Sequence, residues 1–528
     1  MINEDNIATS NTGTVTIPRA EYEQMQGQIS VLEKQVELLT EALRLSRQKR
    51  FGVSSERTSE DAMEQMSLLF NEAEVYVDQA AKEDGGSVAV AAHKRHKKHE
   101  YTLDHLPENV PVEVVEHRLS EGELVCPKCG STMTEIGKEV RRRLKLEPPK
   151  AVVMEDWYYT YACRKCEKED IETPVVKTAK EPNFIPGSFA TPDAVADVMV
   201  QKFVMGSPLY RQEQEFKRQG IPLKRQTMSN WLVWTSDHLL MPVYDQLHKQ
   251  LLTRDVLHAD ETTLQVLHEP GKTAQSKSYM WLYRTSGDTD RPIVLYEYQP
   301  DRKQEHPKEF LTGFQGYLHT DGYPGYHNLP ESITVVGCWA HARRKFDEAM
   351  KSLPKGKAKN SSAAQGLAYC NLLFKIEEGL ADLSPKERYD QRLEQAKPVL
   401  DALLAWANTR TAAPKSALGR ALTYLKDEWT YLLNYLKDGR LELSNNRAER
   451  SIKPFVIDRK NFLFANTPSG ATSSAVIFSL IQTAIENKLD PFRYMTWLMS
   501  AAADMDLSQP ENVQLLLPWN APAECRIN

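Results

Sequence analysis

The sequence of 528 residues predicts a multidomain α+β protein. A heptad-like spacing of apolar residues near the amino terminus predicts a coiled-coil helix. Two Cys-x-x-Cys pairs farther along predict a zinc ribbon. Beyond a helical region, a run of short strand-like segments leads into strand–strand–helix alternation and then into charged, leucine-spaced sequence. This order predicts a mixed sheet with flanking helices and a helical insertion.

The amino-terminal region, residues 19–70, carries the coiled-coil signal. Apolar residues recur between Tyr22 and Leu43 at alternating spacings of three and four, as in an a/d seam. An amphipathic helix docked on the protein's own core is the alternative, and the narrow apolar stripe favours self-association. Residues 71–100 change to acidic, small and then basic side chains, a composition that predicts a linker.

Residues 101–180 contain the two cysteine pairs and are predicted to bind zinc. Two such pairs can supply four thiolates to one tetrahedral Zn²⁺, and a closed Cys₄ site stabilises folding rather than catalysing a reaction. Strand-like sequence between the pairs suggests a hairpin between the two knuckles. Redox pairs or free thiols are the alternative. The predicted zinc ligands are Cys126, Cys129, Cys163 and Cys166.

Residues 190–250 are predicted to be helical, with one helix stopped by Gly220 and a second beginning near Thr227. This layout is typical of a helix-turn-helix. An ordinary helical hairpin packed on the rest of the protein is the alternative, and the polar second helix favours DNA binding. The candidate DNA-binding residues near its start are Arg225, Gln226, Thr227 and Asn230.

Three acidic residues stand in segments that suit a metal-bound carboxylate. Asp260 and Asp321 follow strand-like runs and are predicted to lie at strand ends, and Glu449 follows a predicted helix cap at Ser444 or Asn445. Burying unpaired carboxylates at such positions is costly, which argues against ordinary surface acids. Hard Mg²⁺ prefers oxygen ligands, and two ions about 3.5–4 Å apart can stabilise the attacking and leaving oxygens of phosphoryl transfer.

The neighbours of these acids were weighed as ligands too. Glu261 competes with Asp260, but adjacent strand residues face opposite ways, and we retain Asp260. His258 and His319 are expected to be packed core histidines. His341, at a predicted helix start, is a weaker candidate for a place near the metals, and nearby Cys338 is expected to be a small core residue.

Basic side chains at helical spacing from Glu449 are predicted to line a DNA phosphate path. Surface salt bridges are the alternative, with Glu442 as one partner. The cations and aromatic residues of segment 459–464 suit either stacking on single-stranded DNA or a strand packed into the core. The basic residues are Arg447, Arg450, Lys453, Arg459 and Lys460.

The sequence around the acids resembles that of the transposases of the insertion sequence 66 family, which are DDE-type enzymes. The similar segments are HADETT, HTDGYPGY, CWAHARRKF and SNNRAERSIKPFVIDRKNFLFAN, and the resemblance spans nearly the whole chain. It implies that Asp260, Asp321 and Glu449 are the DDE acids. It also implies an RNase H-like α/β core in residues 251–350 and 441–485, interrupted by a helical insertion at 355–440 and followed by a carboxyl-terminal segment at 486–528.

The implied function is binding of element ends and metal-dependent DNA cleavage and strand transfer by direct phosphoryl transfer. The expected cofactors are two Mg²⁺ or Mn²⁺ ions and a structural Zn²⁺. Expected partners are terminal-repeat and target DNA, at least a second copy of the chain, and accessory proteins of the element. The alternatives are a catalytically inert, zinc-containing DNA-binding or regulatory protein and an RNase H-like nuclease.

Composition and charge bear on where the protein is located and on whether it can bind DNA. The net charge of −6 does not exclude DNA, because phosphate contacts need only local basic patches. The sequence has no apolar run long enough for a membrane span and no signal-peptide pattern at its amino end. The sequence therefore predicts a cytoplasmic protein.

Overall fold

The computed structural model describes residues 154–157, 160–162, 175–177, 182–287, 289–354 and 356–527. The chain divides into two compact units, one formed mainly by residues 72–183 and the other by residues 1–71 together with 184–526. The predicted coiled coil, the linker and all four cysteines of the zinc prediction lie outside the described residues.

In the smaller unit, two short strands pair antiparallel: β1 (Thr160–Ala162) and β2 (Val175–Lys177). β1 ends immediately before Cys163, and β2 begins after Cys166. The two described strands therefore flank the second cysteine pair in sequence, and most of the segment in which a hairpin was predicted, between the two pairs, lies outside the described residues.

In the larger unit, helices precede the sheet, as predicted. Thr191 caps the first helix, because its Oγ1 accepts a hydrogen bond from the Ala194 N–H at 3.4 Å. Gly220, with φ of +79°, ends the turn after the second helix. The third helix joins the fourth through a π-helical turn at Ser236–Leu240. The helices are α1 (Pro192–Phe203), α2 (Leu209–Arg218), α3 (Arg225–Thr235) and α4 (Met241–Leu252).

Among the described residues, a five-stranded mixed sheet follows, which confirms the predicted α+β architecture. Its spatial order is β5-β4-β3-β6-β7, in which β3 pairs antiparallel with β4 and parallel with β6. β4 and β5 are antiparallel, and β6 and β7 are parallel. The strands are β3 (Val256–Gln265), β4 (Lys277–Thr285), β5 (Val294–Gln299), β6 (Gly316–His319) and β7 (Ile333–Val336).

The prediction that Asp260 ends a strand was wrong, because β3 continues through it to Gln265. The register with β4 runs without interruption from Leu257 opposite Thr285 to Gln265 opposite Lys277. Two backbone groups beside Asp260 are satisfied by side chains: the Ala259 carbonyl accepts from Asn445 Nδ2 at 2.8 Å, and the Glu261 N–H donates to Asp260 Oδ1 at 2.8 Å.

The outer edge of β5 is covered by a helix rather than left open. Helix α13 (Pro468–Glu486) packs against it and places two hydroxyls on its backbone. The Val294 N–H donates to Thr483 Oγ1 at 3.0 Å, and the Tyr296 N–H donates to Ser479 Oγ at 2.7 Å. These bonds satisfy backbone groups that an exposed edge strand would offer to another chain.

The sequence between β7 and the Glu449 helix is helical, as predicted. Arg392, which is fully buried, holds this region to the chain that follows it. Its guanidinium pairs with Glu377 at 2.7 Å and donates to the carbonyls of Tyr435, Asp438 and Leu441. The helices are α6 (Trp339–Lys351), α7 (Ser362–Gly379), α8 (Pro385–Gln391), α9 (Lys397–Asn408), α10 (Ala417–Asp427) and α11 (Trp429–Leu433).

The remaining helices complete the larger unit. They are α5 (Glu305–Phe310), which lies between β5 and β6, and then α12 (Asn446–Phe462), α14 (Pro491–Ala503) and α15 (Pro510–Leu515). Across the described residues, no helix combines the length and apolar character that a membrane crossing needs.

Glu297 on β5 makes the stability of this unit depend on pH. Burial raises the pKa of its carboxyl to about 8, against a hydrogen bond from Gln299. The folded protein therefore keeps a proton that the unfolded chain releases near its ordinary pKa of 4.5, and stability falls as pH rises from there through about 8.

We expect Glu297→Gln to raise the free energy of unfolding by about 1–3 kcal/mol at pH 9 and to change it little at pH 4.5. Unfolding midpoints of both proteins at the two pH values measure this. An exposed matched change far from Glu297 in sequence, Glu378→Gln, should alter neither midpoint. Equal effects of Glu297→Gln at both pH values would contradict the assignment.

Candidate active site

Asp260 and Asp321 both follow the segment in which β3 pairs with β6, although Asp260 itself stays within β3. β3 and β6 run parallel, and their last paired residues are His258 and His319. Each aspartate follows its histidine by two residues, so the two lie just beyond the point where β3 and β6 separate. The carboxyl ends of parallel strands are where sheets of this kind place their ligands.

Asp321 stands in a tight loop whose conformation is held from both sides. Its carboxylate accepts a hydrogen bond from the Tyr323 N–H at 3.0 Å, and its carbonyl accepts one from the Tyr424 hydroxyl of α10 at 2.9 Å. Gly322 has φ of +92°, and a Cβ there would lie 3.0 Å from the Glu428 carboxyl carbon. Helix α10 of the insertion therefore forms one wall beside Asp321.

Glu449 enters from the first turn of α12, where the positive end of the helix dipole favours a carboxylate. Its Oε2 lies 3.5 Å from the Arg344 guanidinium, and its Oε1 lies 3.5 Å from Nδ1 of His341. His341, considered a weaker candidate from sequence, is thus a direct neighbour of Glu449. Its side chain and that of Glu449 are largely buried.

Asp321 and Glu449 are near enough to Asp260 for their charges to act on its carboxyl, although the three acids do not bring their ligand atoms within 4.8 Å of one another in the described part of the chain. Burial raises the pKa of Asp260 well above its ordinary value, and the negative charges of Asp321, Glu261 and Glu449 raise it further. Like-charged carboxylates gathered from distant parts of the chain repel one another unless cations neutralise them. An all-oxygen donor set of this kind fits Mg²⁺ or Mn²⁺.

Glu261 also lies near Asp321, but its carboxylate is engaged by other side chains. Its carboxylate pairs with Arg302, whose Nε donates at 2.7 Å, and accepts a hydrogen bond from the Tyr326 hydroxyl at 2.6 Å. Burial and the charge of Asp321 raise the pKa of Glu261 to about 7, although Arg302 and Tyr326 oppose the shift. Its oxygens are already engaged, and Asp260 remains the ligand candidate on β3.

Asn445 links the helix of Glu449 to the strand of Asp260. Its Nδ2 donates to the Ala259 carbonyl at 2.8 Å, and its Oδ1 accepts from Nδ1 of His258 at 2.9 Å. Asn445 occupies the cap position of α12, but its side chain makes no capping bond, so the predicted capping role of that side chain was wrong. The Asn445 side chain is fully buried, and it bonds β3 instead of capping the helix.

His258 and His319 are both fully buried, as expected of core histidines. Their rings stack with centroids 4.4 Å apart. Burial lowers the pKa of His258 to about 3, although the bond to Asn445 opposes the shift, and burial also places the pKa of His319 well below its ordinary value. Both rings are therefore neutral, and His258 donates its Nδ1 proton to Asn445.

The basic residues on α12 do not share one environment. Arg447 donates to Glu442 at 2.7 Å, which is the salt bridge considered as the alternative. Arg459 is turned toward the sheet and donates to Thr263 Oγ1 on β3 at 2.7 Å. The exposed positions are those of Arg450 and Lys460, and Lys453 is half-buried.

Segment 459–464 begins as the last turn of α12 and does not form a strand, but the chain directly after it pairs with the sheet. Leu463 turns the backbone with φ of +65°, and the Ala465 N–H then donates to the Gln265 carbonyl at 2.9 Å. Ala465 also forms a parallel bridge with Val266 at the end of β3. The segment thus leads back to the sheet, while Phe464 remains 42% exposed and available for stacking.

The candidate DNA-binding residues of α3 lie mostly on the surface. Arg225, Gln226 and Asn230 are exposed, and Thr227 is half-buried. Gln226 Nε2 donates to Asn230 Oδ1 at 2.9 Å. The opposite side of the helix is anchored by Trp231, whose indole is buried. The start of α3 therefore offers polar side chains to solvent.

Sequence patterns did not reveal the partners of the buried residues Asn445 and Glu261. Asn445 bonds His258 across 187 positions, and Arg302 bonds Glu261 across 41. The only local sign of a special role for Asn445 was its place as a polar residue directly before a helix rich in charged side chains. No periodicity connects residues this far apart.

Three family models match the chain. The model described as the transposase IS66 family matches residues 187–473, and a zinc-finger binding domain of transposase IS66 matches residues 123–167. A third, described as transposase C of IS166 homeodomain, matches residues 38–115. The zinc-finger match contains all four cysteines of the two Cys-x-x-Cys pairs.

Proteins of Sinorhizobium fredii are similar over most of their length. The uncharacterized protein y4hP is 30% identical over 514 residues, which cover 93% of this chain and 88% of the relative. The uncharacterized protein y4qI is 27% identical over 531 residues, covering 97% of this chain and 94% of the relative.

The family matches define the class of the protein as a transposase, a DNA-processing enzyme with a zinc-binding domain. Within that class, the chain belongs to the IS66 family.

Proposed function

We propose that this transposase cleaves and joins DNA strands at the site formed by Asp260, Asp321 and Glu449. The observation that carries the proposal is the placement of the acids: Asp260 and Asp321 lie just beyond the paired parts of β3 and β6, and Asn445, four residues before Glu449, bonds β3. The charges of Asp321 and Glu449 both act to raise the pKa of Asp260. Acids from β3, from the loop after β6 and from α12 thus share one electrostatic environment. Such a set suits direct phosphoryl transfer, which relies on positioning and charge neutralisation.

The sheet topology supports an RNase H-like core. β3, β4 and β5 are antiparallel, β6 and β7 continue parallel to β3, and α12 crosses the region where β3 and β6 part. The insertion of α7–α11 lies between β7 and α12, and its α10 contacts the loop of Asp321. The insertion is thus a wall of the proposed site.

Asp260 would be shared by two Mg²⁺ or Mn²⁺ ions, with Asp321 and Glu449 each holding one. When bound, such ions activate an attacking water or 3′-hydroxyl and stabilise the leaving oxygen. The chain's own residues supply orientation: the Tyr323 N–H holds the Asp321 carboxylate, and Arg344 holds Oε2 of Glu449. The proposed route needs no covalent enzyme intermediate.

Other parts of the chain would bind DNA and zinc. We assign element-end recognition to the exposed start of α3 and phosphate contacts to the basic residues of α12. Arg447 and Arg459 would have to leave or share their present partners to contribute. We also assign structural zinc to the four cysteines of residues 123–167 and expect at least a dimer, because two element ends must be paired.

The test is a cleavage and strand-transfer assay on DNA carrying the element's terminal repeats, with the element's other proteins present. We expect joined products with Mg²⁺ or Mn²⁺ and none after chelation. Hydrolysis without joining would favour the RNase H-like nuclease. Specific DNA binding with no products under any metal would favour the inert DNA-binding or regulatory protein.

A further inference from the structure

We infer that Cys338, His341 and Glu449 form a second cation site, which takes a thiophilic divalent ion such as Zn²⁺. The site differs in chemistry from the all-oxygen set, because it offers a sulfur, an imidazole nitrogen and a carboxylate oxygen. Its ability to bind an ion stands independently, and its effect on strand transfer rests on the proposed function.

The geometry of the three side chains carries the inference. One ligand atom from each residue lies within 4.8 Å of the others, and His341 Nδ1 is 3.5 Å from Glu449 Oε1. Both of these atoms are buried, and apart from their 3.5 Å contact with each other neither has a hydrogen-bond partner. Buried polar atoms without a hydrogen bond are uncommon, and a bound ion is one of the regular explanations.

The position of Cys338 and a hydrogen bond to its sulfur suit a metal ligand. Cys338 is the cap residue of α6 and His341 lies three positions later, a spacing that brings both to one side of the first turn. The Asn445 N–H donates to Cys338 Sγ at 3.1 Å. Hydrogen bonds of this kind orient a metal ligand from outside the coordination shell.

The two oxygens of Glu449 have different neighbours. Arg344 contacts Oε2, whereas Oε1 faces His341. An ion held by sulfur, nitrogen and Oε1 would therefore leave the Arg344 contact in place. Sulfur and imidazole favour Zn²⁺, and three protein ligands leave a fourth tetrahedral position for water.

Because Glu449 belongs to both sets, the two sites are coupled. An ion at the second site would engage Oε1 of Glu449 and compete for the ligand that the proposed Mg²⁺ site needs. We therefore expect Zn²⁺ to inhibit Mg²⁺-supported strand transfer by the intact chain, and to do so through Cys338 and His341.

The test uses the full chain loaded with a single equivalent of Zn²⁺, which fills the predicted four-cysteine site, and Co²⁺ as the probe of the second site. Tetrahedral Co²⁺ bound to a thiolate absorbs through sulfur-to-metal charge transfer. We expect this absorption in the intact protein. In Cys338→Ser the absorption should be lost, and Co²⁺ should bind at least about tenfold more weakly than in the intact protein. Cys370→Ser removes a buried thiol on α7 and should keep both.

A second variant guards against misfolding of the first. His341→Gln leaves the thiol in place, and it should also lose the tetrahedral absorption while keeping the unfolding midpoint of the intact chain. Equal Co²⁺ spectra and affinities in the intact protein, Cys338→Ser and His341→Gln would overturn the proposed cation site.

The inhibition arm separates this inference from the proposed function. Each protein's strand transfer with Mg²⁺ is taken as its own reference, and Zn²⁺ is then titrated. The intact chain and Cys370→Ser should be inhibited at lower Zn²⁺ than Cys338→Ser. A cobalt site without any strand transfer would retain the cation site and reject the proposed function. Equal inhibition of all three would reject the coupling through Glu449.

Discussion

Asp260→Asn is expected to abolish DNA cleavage and strand transfer while leaving the protein folded. The amide has nearly the same shape as the carboxylate, but it cannot supply the negative charge that a bridging metal ligand needs. Loss of preorganised charge stabilisation at one site costs about 10²–10³-fold in rate, and loss of the central ligand should cost at least that much.

The same substitution should not destabilise the protein without metal, which separates a chemical role from a structural one. Burial and the charges of Asp321, Glu261 and Glu449 disfavour the ionised form of Asp260 in the fold. Removing that charge relieves repulsion, so the unfolding midpoint in the presence of chelator should stay the same or rise. Stabilisation by added Mg²⁺ should be lost, because the ion no longer binds the folded state preferentially.

The control for Asp260→Asn is Asp237→Asn, the same chemical change at an exposed position beside α3. It should keep both activity and stabilisation by Mg²⁺. Asp321→Asn and Glu449→Gln should reproduce the loss seen with Asp260→Asn. Substantial joining by all three active-site variants would reject the assignment of the acids.

Asn445→Ala is expected to lower the free energy of unfolding by about 2–5 kcal/mol. The change leaves the Ala259 carbonyl and the His258 N–H buried without their partner, and each such group costs about 1–3 kcal/mol. Denaturant unfolding followed by circular dichroism measures the effect. The same substitution should reduce strand transfer at temperatures where the variant is fully folded, because Glu449 lies four residues further along α12.

The matched control is Asn446→Ala, one residue later and only half-buried. It should change the free energy of unfolding by less than about 0.5 kcal/mol, as is usual for surface positions. Similar losses for both alanine variants would show that the helix start, rather than the bonds of Asn445 to β3, determines stability.

Much of the local structure followed from sequence patterns alone. Apolar runs predicted a series of short strands, and leucine-spaced charged sequence predicted the helices between β7 and α12. Strand alternation also favoured Asp260 over Glu261 as the ligand, and in the structure the Glu261 carboxylate is engaged by Arg302 and Tyr326. These features depend on neighbours within a few residues, so short segments carry enough information to predict them.

The acids were proposed from local segments and a family resemblance, and only the fold brings them together. β3 continues through Asp260 because it pairs with β4. The polar sequence of this segment does not by itself predict that pairing. That Asn445 bonds β3 instead of capping its helix depends on burial against Ala259 and His258. That His341 meets Glu449 depends on how α6 and α12 pack. The sequence by itself determined which side chains offer charge, sulfur and hydrogen bonds. Only the tertiary structure decided which of them meet, because those contacts join residues too far apart for any local pattern to encode.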